Sequence, residues 1–176
     1  QEKTHLGQVA VGGGEVDMTL KRFPIGVQDF AVIREDSKYY VDKTDLIYKL
    51  VQSDRYFFLS RPRRFGKSLL VSTLQYYFEG RKELFAGLAM ERLEKEWKKY
   101  PVFKLSFAGN KFVELQDLHA TLQNILSEHE SKYDIEIQQS KDWGVRLERL
   151  IKAAYAKTGL PPVVLVDEYD APLLDS

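Results

Sequence analysis

Two short stretches of the chain carry residue types that chemistry needs. The first is Ser60-Arg-Pro-Arg-Arg-Phe-Gly-Lys-Ser68, whose end matches the phosphate-loop pattern G-x-x-x-x-G-K-[ST]. Each part has a physical reason. Gly66 permits the close backbone approach that aims successive N–H groups at phosphate oxygens, and a helix beginning near Lys67 adds the positive end of its dipole. Lys67 supplies a point charge for terminal phosphates, and Ser68 a hydroxyl able to ligate a Mg²⁺ that bridges them. The first glycine of the pattern falls at Arg61, so Arg61-Pro62 must turn with φ below zero. In return, Arg63 and Arg64 bring guanidinium groups that can neutralise a nucleotide or pair with carboxylates.

The second stretch is Val163-Val-Leu-Val-Asp167-Glu168, an apolar strand running into paired carboxylates. An Asp at that place can hold Mg²⁺ through water, and the adjacent Glu can polarise an attacking water. Neighbouring residues of a strand point to opposite faces, so both roles require the strand to have just ended there. Each stretch alone has an ordinary alternative, a basic loop before a helix or a solvated acidic turn. A strand before the first, a helix after it and an acidic strand end downstream favour phosphate binding. Asp170 ranks below Asp167 as an aid to the metal. His5, His119 and His129 lie in an extension or on a polar helix, form no ligand cluster and are assigned no function.

The elements that must position these residues follow from spacing. Phe23 to Asp36 reads as irregular with a short helical piece. Thr44, as N-cap, opens a helix marked by Leu46, Ile47, Leu50 and Val51 that ends near Ser53. Tyr56-Phe57-Phe58-Leu59 is an apolar run too short for a helix, as a buried parallel strand reads. Residues 68 to 78 are apolar on most faces and stop at Glu79-Gly80, which predicts a buried helix. Short helices are expected over Arg81 to Lys99, and a strand over Pro101 to Phe107. Two amphipathic helices follow, one marked by Leu115, Leu118, Leu122, Ile125 and Leu126. The other is marked by Trp143, Leu147, Leu150, Ile151 and Ala154, with Asp142 before it and Gly159 after. Strands alternating with helices predict an α/β fold with a mostly parallel sheet.

Composition narrows the classes. The 176 residues, with 44% hydrophobic, 12% aromatic and 30% charged, suit one globular core and exclude disordered and collagenous chains. The 26 Lys and Arg balance 26 Asp and Glu, whereas a domain gripping duplex nucleic acid shows a basic excess, so no direct nucleic-acid binding is predicted. The absence of cysteine removes disulfides, thiolate nucleophiles and Cys-type zinc sites, and leaves a cytoplasmic expectation. No run approaches the roughly 20 apolar residues that span a bilayer, so no membrane is expected. Residues 1 to 17, polar and with Gly12-Gly13-Gly14, read as a flexible extension ahead of a domain over residues 18 to 176.

The order of motifs resembles one family. Phe23-Pro-Ile-Gly26 with Asp29-Phe30, Tyr40-Val-Asp-Lys-Thr44, the loop ending Arg63-Arg-Phe-Gly-Lys-Ser-Leu69, Trp97 with Tyr100-Pro101-Val102, Val166-Asp-Glu-Tyr-Asp170 and Pro172-Leu173 are similar to the predicted AAA-ATPase-like family, itself related to STAND-type ATPases. The resemblance covers about residues 18 to 176, and the family's own loop variant accounts for Arg61. It implies a P-loop NTPase three-layer sandwich with ATP and Mg²⁺ as cofactors. Nucleotide binding falls to Arg63, Arg64, Phe65, Gly66, Lys67, Ser68 and Leu69, the metal to Ser68 and Asp167, and catalysis to Glu168 and Lys67. Tyr40 to Thr44 would lie near the adenine, or else merely pack and cap. Relatives often carry a PD-(D/E)XK nuclease-like domain after the ATPase, which makes such a domain or a protein effector the expected partner.

The resemblance also implies that a strand following Asp167-Glu168 inserts between the phosphate-loop strand and the Asp-Glu strand. The chain ends before it, so it is expected to be the front part of a longer ATPase and inactive alone. The leading reading is an ATP-hydrolysing switch for an effector. The alternative is a nucleotide-dependent scaffold without hydrolysis, with a small-molecule kinase third.

Overall fold

The computed structural model of the chain describes residues 21–53, 57, 66–109, 112–136 and 142–168. In chain order these form α1 (Phe30–Glu35), α2 (Thr44–Ser53), α3 (Lys67–Phe78), a 3₁₀ turn (Lys82–Phe85), α4 (Ala89–Leu93), β1 (Val102–Ser106), α5 (Leu115–Lys132), α6 (Trp143–Thr158) and β2 (Val163–Asp167). β1 and β2 pair in parallel, from Val102 opposite Val163 to Ser106 opposite Asp167. Helices α5 and α6 form the long crossover that a parallel pair requires. The architecture is therefore mixed α/β with a two-stranded parallel sheet among the described residues. Of the expected strand at Tyr56 to Leu59 only Phe57 is described, 47% exposed and in no regular element. The expected extension at residues 1 to 17 lies outside the described residues. No described helix is long and apolar enough to cross a membrane.

At α6 the helix signals act as the sequence predicts. Asp142 accepts the Val145 N–H at 3.1 Å to start α6, and Gly159 ends it in the left-handed region at φ 69°. A capping box of Glu114 and Asp117 starts α5. Leu126, Leu150 and Ala154 bury against Phe103, while Leu118, Leu122 and Ile125 pack on Leu105, Phe107 and Phe112. Fully burying a leucine such as Leu126 or Leu150 contributes about 1.5–3 kcal/mol. His129 departs from the reading of a polar helix: it is buried, with Nε2 3.1 Å from the Lys104 carbonyl oxygen and its ring against Phe103.

A second core gathers Phe30, Ile47, Tyr77, Leu84, Phe85, Leu88 and Met90 around α3. Within α3 the fully buried positions include Ser72 and Thr73, not only the apolar residues that the composition of this helix suggests. Both hydroxyls donate to the Leu69 carbonyl, at 2.9 and 2.8 Å, which satisfies them locally. Ser72 Oγ also accepts the Phe30 N–H at 3.0 Å. Tyr76 donates to Asp29 at 3.1 Å, and the Tyr100 N–H donates to the Phe78 carbonyl at 2.8 Å. Motif residues far apart in sequence thus hold one helix.

The segment from Tyr40 to Thr44 packs. Tyr40 lies edge-on to Phe30 with centroids 5.2 Å apart. Thr44 is the first residue of α2 rather than a side-chain cap: its hydroxyl donates to Asp42 at 2.7 Å and accepts the Met90 N–H at 3.0 Å. Asp42 also accepts the N–H groups of Thr44 and Ala89, at 2.9 and 2.8 Å. Burial pushes the Asp42 carboxyl up, but these hydrogen bonds outweigh it and hold the group below the usual carboxylate range. A depressed carboxylate stabilises the fold above its unfolded pKa and loses that contribution as pH falls through its folded one. Asp42→Ala is therefore expected to weaken the α2–α4 contact by about 2 kcal/mol at pH 7 and by less below about pH 4. Hydrogen-exchange protection at Ala89 and Met90, compared at the two pH values, measures it.

Candidate functional site

The site begins where α3 begins. Gly66 is its N-cap, in the left-handed region at φ 75°, and the first intrahelical bond runs from the Leu70 N–H to the Gly66 carbonyl at 3.0 Å. The N–H groups ahead of that bond have no intrahelical acceptor, and no side-chain cap bonds them among the described residues. A Cβ added at Gly66 would meet nothing within 4 Å among the described residues, so the space beside Gly66 is open to them. Uncapped donors facing open space beside Lys67 suit an anion. Lys67 and Ser68 are half-buried, and neither side chain has a hydrogen-bond or ion-pair partner among the described residues. Leu69 packs against the core around Tyr77, so its apolar side chain anchors the loop while its N–H stays at the helix start.

The acidic end lies on β2, against which α3 packs. Asp167 is the last residue of that strand and only 5% exposed. One of its carboxylate oxygens accepts the Glu168 N–H at 3.0 Å, and its carbonyl accepts the Phe107 N–H at 3.1 Å. Glu168 has φ 53°, a region that non-glycine residues seldom occupy. The strand has therefore ended where the two carboxylates must diverge from strict alternation, and left-handed backbone at such a residue is a recurrent feature of working sites.

The structure thus brings the helix bearing Lys67 and Ser68 against the strand bearing Asp167. Arg61, Arg63, Arg64, Phe65 and Asp170 lie outside the described residues. Among the described residues no group of three or more His, Asp or Glu is arranged to hold a metal ion. A Mg²⁺ needs no such group where phosphates and water supply most of its ligands. The hydroxyl of Ser68 and the buried carboxylate of Asp167 are ligands of the hard-oxygen type it prefers.

Comparison with known proteins gives the chain a family. The sequence profile of the family described as Predicted AAA-ATPase matches residues 24–176. An "Uncharacterized protein in vnfD 5'region" of Azotobacter chroococcum mcd 1 is 42% identical over 160 residues, which are 90% of this chain and 31% of that protein. The chain thus spans less than a third of that relative's length. No solved structure matches it. With the family's profile covering the chain from Pro24 onward, the chain belongs to the predicted AAA-ATPase family, whose name implies nucleotide binding.

Proposed function

We propose that the longer protein to which this chain corresponds is a Mg²⁺-dependent ATPase that uses nucleotide state to switch an attached or partner effector, for which a nuclease-like domain is the leading candidate. The observation that carries the reading is the open, uncapped start of α3 at Gly66, with Lys67 and Ser68 on it, packed by way of α3 against the strand that ends in Asp167. The N–H groups of residues 66 to 69 bind phosphate oxygens, and Lys67 holds the terminal phosphate by its charge. Arg63, Arg64 and Phe65 complete the loop around the nucleotide. Ser68 and Asp167 hold Mg²⁺, which when bound supplies charge neutralisation on the phosphates. Glu168 accepts a proton from the attacking water.

In this reading residues 18 to 176 are the front part of a P-loop three-layer sandwich, and a strand later in the longer protein completes the sheet. Val164 and Val166, 37% and 44% exposed on the face that Phe103 and Leu105 share, offer apolar surface for the remaining elements to cover. Glu168→Gln in the full-length protein tests the assignment. ATP affinity is expected to stay within about twofold while turnover falls by about 10²–10⁴. Unchanged hydrolysis would remove Glu168 from the mechanism. Tight binding with no turnover by the unmodified protein would select the non-hydrolysing scaffold instead.

A further inference from the structure

Ser106 is the last residue of β1 and stands directly across from Asp167, the last residue of β2. Register partners of a parallel pair point their side chains to the same face, with backbones about 4.8 Å apart. The Ser106 hydroxyl and the Asp167 carboxylate are therefore neighbours, although the two residues are far apart in sequence. We infer that Ser106 is a positioning residue of the nucleotide site, whose hydroxyl holds a water of the Mg²⁺ shell together with the Asp167 carboxylate. That role rests on the Mg²⁺-nucleotide reading of the site.

The fold turns this pair toward the helix that bears Lys67 and Ser68. Phe103 and Leu105 of β1 face α5 and α6, and Val164 and Val166, on that same face of β2, stay exposed. Helix α3 packs on both strands, so it covers the opposite face, which carries Lys104, Ser106, Leu165 and Asp167. The end of α3 is tied to the start of β1, where the Tyr100 N–H donates to the Phe78 carbonyl at 2.8 Å. From that tie α3 extends about 16 Å back to Lys67. The chain runs about 20 Å on to Ser106 through β1. With α3 lying on the strands between, the helix start and the strand ends come to one end of the sheet.

Both groups have hydrogen-bonding capacity left. One Asp167 oxygen accepts the Glu168 N–H at 3.0 Å, and the other has no partner among the described residues. In a residue only 5% exposed, an unsatisfied carboxylate oxygen is costly and points to a cation or a water held there. Ser106 is half-buried, and its oxygen accepts the Ala108 N–H at 3.4 Å, a long contact that uses one of two lone pairs. The second lone pair has no donor among the described residues. A water on Mg²⁺ has two protons to donate. The free Asp167 oxygen takes one and Ser106 Oγ takes the other, which fixes the orientation of that water, as outer partners of metal sites do.

The test is equilibrium dialysis of the full-length protein against labelled ATP as Mg²⁺ is raised, which reads metal affinity apart from turnover. Ser106→Val is expected to raise the half-saturating Mg²⁺ concentration about tenfold, while ATP affinity without Mg²⁺ stays within about twofold. Ser106→Ala, which cannot crowd Asp167, should match it. Ser106→Thr has the shape of the valine variant but keeps a hydroxyl, so it should stay within about threefold of the unmodified protein. An unchanged Mg²⁺ dependence in the valine and alanine variants would overturn the role of Ser106 and leave the site reading standing. So would a loss with threonine as large as with valine, or an equal loss of ATP affinity without Mg²⁺. ATP binding by the unmodified protein that ignores Mg²⁺ would overturn the site reading and the role of Ser106 together.

Discussion

Lys67→Ala is expected to lower the affinity of the full-length protein for Mg²⁺-ATP by about a hundredfold or more while leaving the fold unchanged. The two halves of this expectation have separate causes. The loss of binding follows from the position of the charge. Lys67 is the first residue of α3, beside uncapped N–H groups and open space, where a bound phosphate would gain from a cation far more than the helix end alone can give. The preserved fold follows from what the side chain lacks. It has no ion pair or side-chain hydrogen bond among the described residues, and its backbone stays helical with alanine, the best helix former. Lys67→Arg should recover only part of the affinity, because a planar fork does not replace a compact ammonium at a terminal phosphate. Equilibrium dialysis against labelled ATP, with far-ultraviolet circular dichroism as the fold control, measures both. Unchanged affinity with an intact fold would remove phosphate binding from this loop altogether.

What made that residue legible is contiguity. Gly66, Lys67 and Ser68 are neighbours in sequence, and the helix they open is announced by its own apolar residues, so motif and context could be read together. The same holds for β2 and Asp167, where an apolar run ends in a carboxylate, and for α6, where Asp142 and Gly159 mark both ends. Pairings that depend on the fold were not legible. Asp42 reaching Ala89, Ser72 accepting from Phe30 and Glu94 accepting from Tyr77 join positions 47, 42 and 17 residues apart. No local spacing encodes them. His129 shows the same limit: its sequence neighbours are polar, and only the approach of β1 makes its position an interior one. In α3 the hydrophobic pattern misleads about which face is deepest, because hydroxyls bonded to the preceding turn bury as readily as leucines.

The largest structural effect should come from a pair that the sequence also conceals. Arg146 on α6 and Glu130 on α5 are each 3% exposed, sixteen residues apart, and surrounded in sequence by the polar positions of ordinary amphipathic helices. Arg146 Nε donates to one Glu130 oxygen at 2.7 Å and a terminal nitrogen donates to the other at 2.5 Å, a two-point fork. Two further donors reach Gln123 Oε1 at 2.7 Å and Ser127 Oγ at 2.9 Å, so four of the five guanidinium N–H groups are paired within the two helices. Its pKa is raised, chiefly by the hydrogen bond to Glu130, and it stays charged at any pH of interest. Arg146→Ala would leave the buried Glu130 carboxyl without its countercharge and fork partner and should destabilise the α5–α6 pair by about 3–5 kcal/mol. For a unit of this size that lowers the unfolding temperature by on the order of 10 °C. Arg146→Met combined with Glu130→Leu removes both charges and keeps most of the volume, so it should recover most of the loss. Thermal unfolding of the single and double variants decides between the two accounts of the pair. If the double variant is no more stable than Arg146→Ala, the contribution of the pair is its specific hydrogen-bonded geometry with Gln123 and Ser127. If it approaches the unmodified protein, the pair's main effect is avoidance of an unpaired charge, and apolar packing of α5 and α6 on Phe103 through Leu126, Leu150 and Ala154 holds the helices in place.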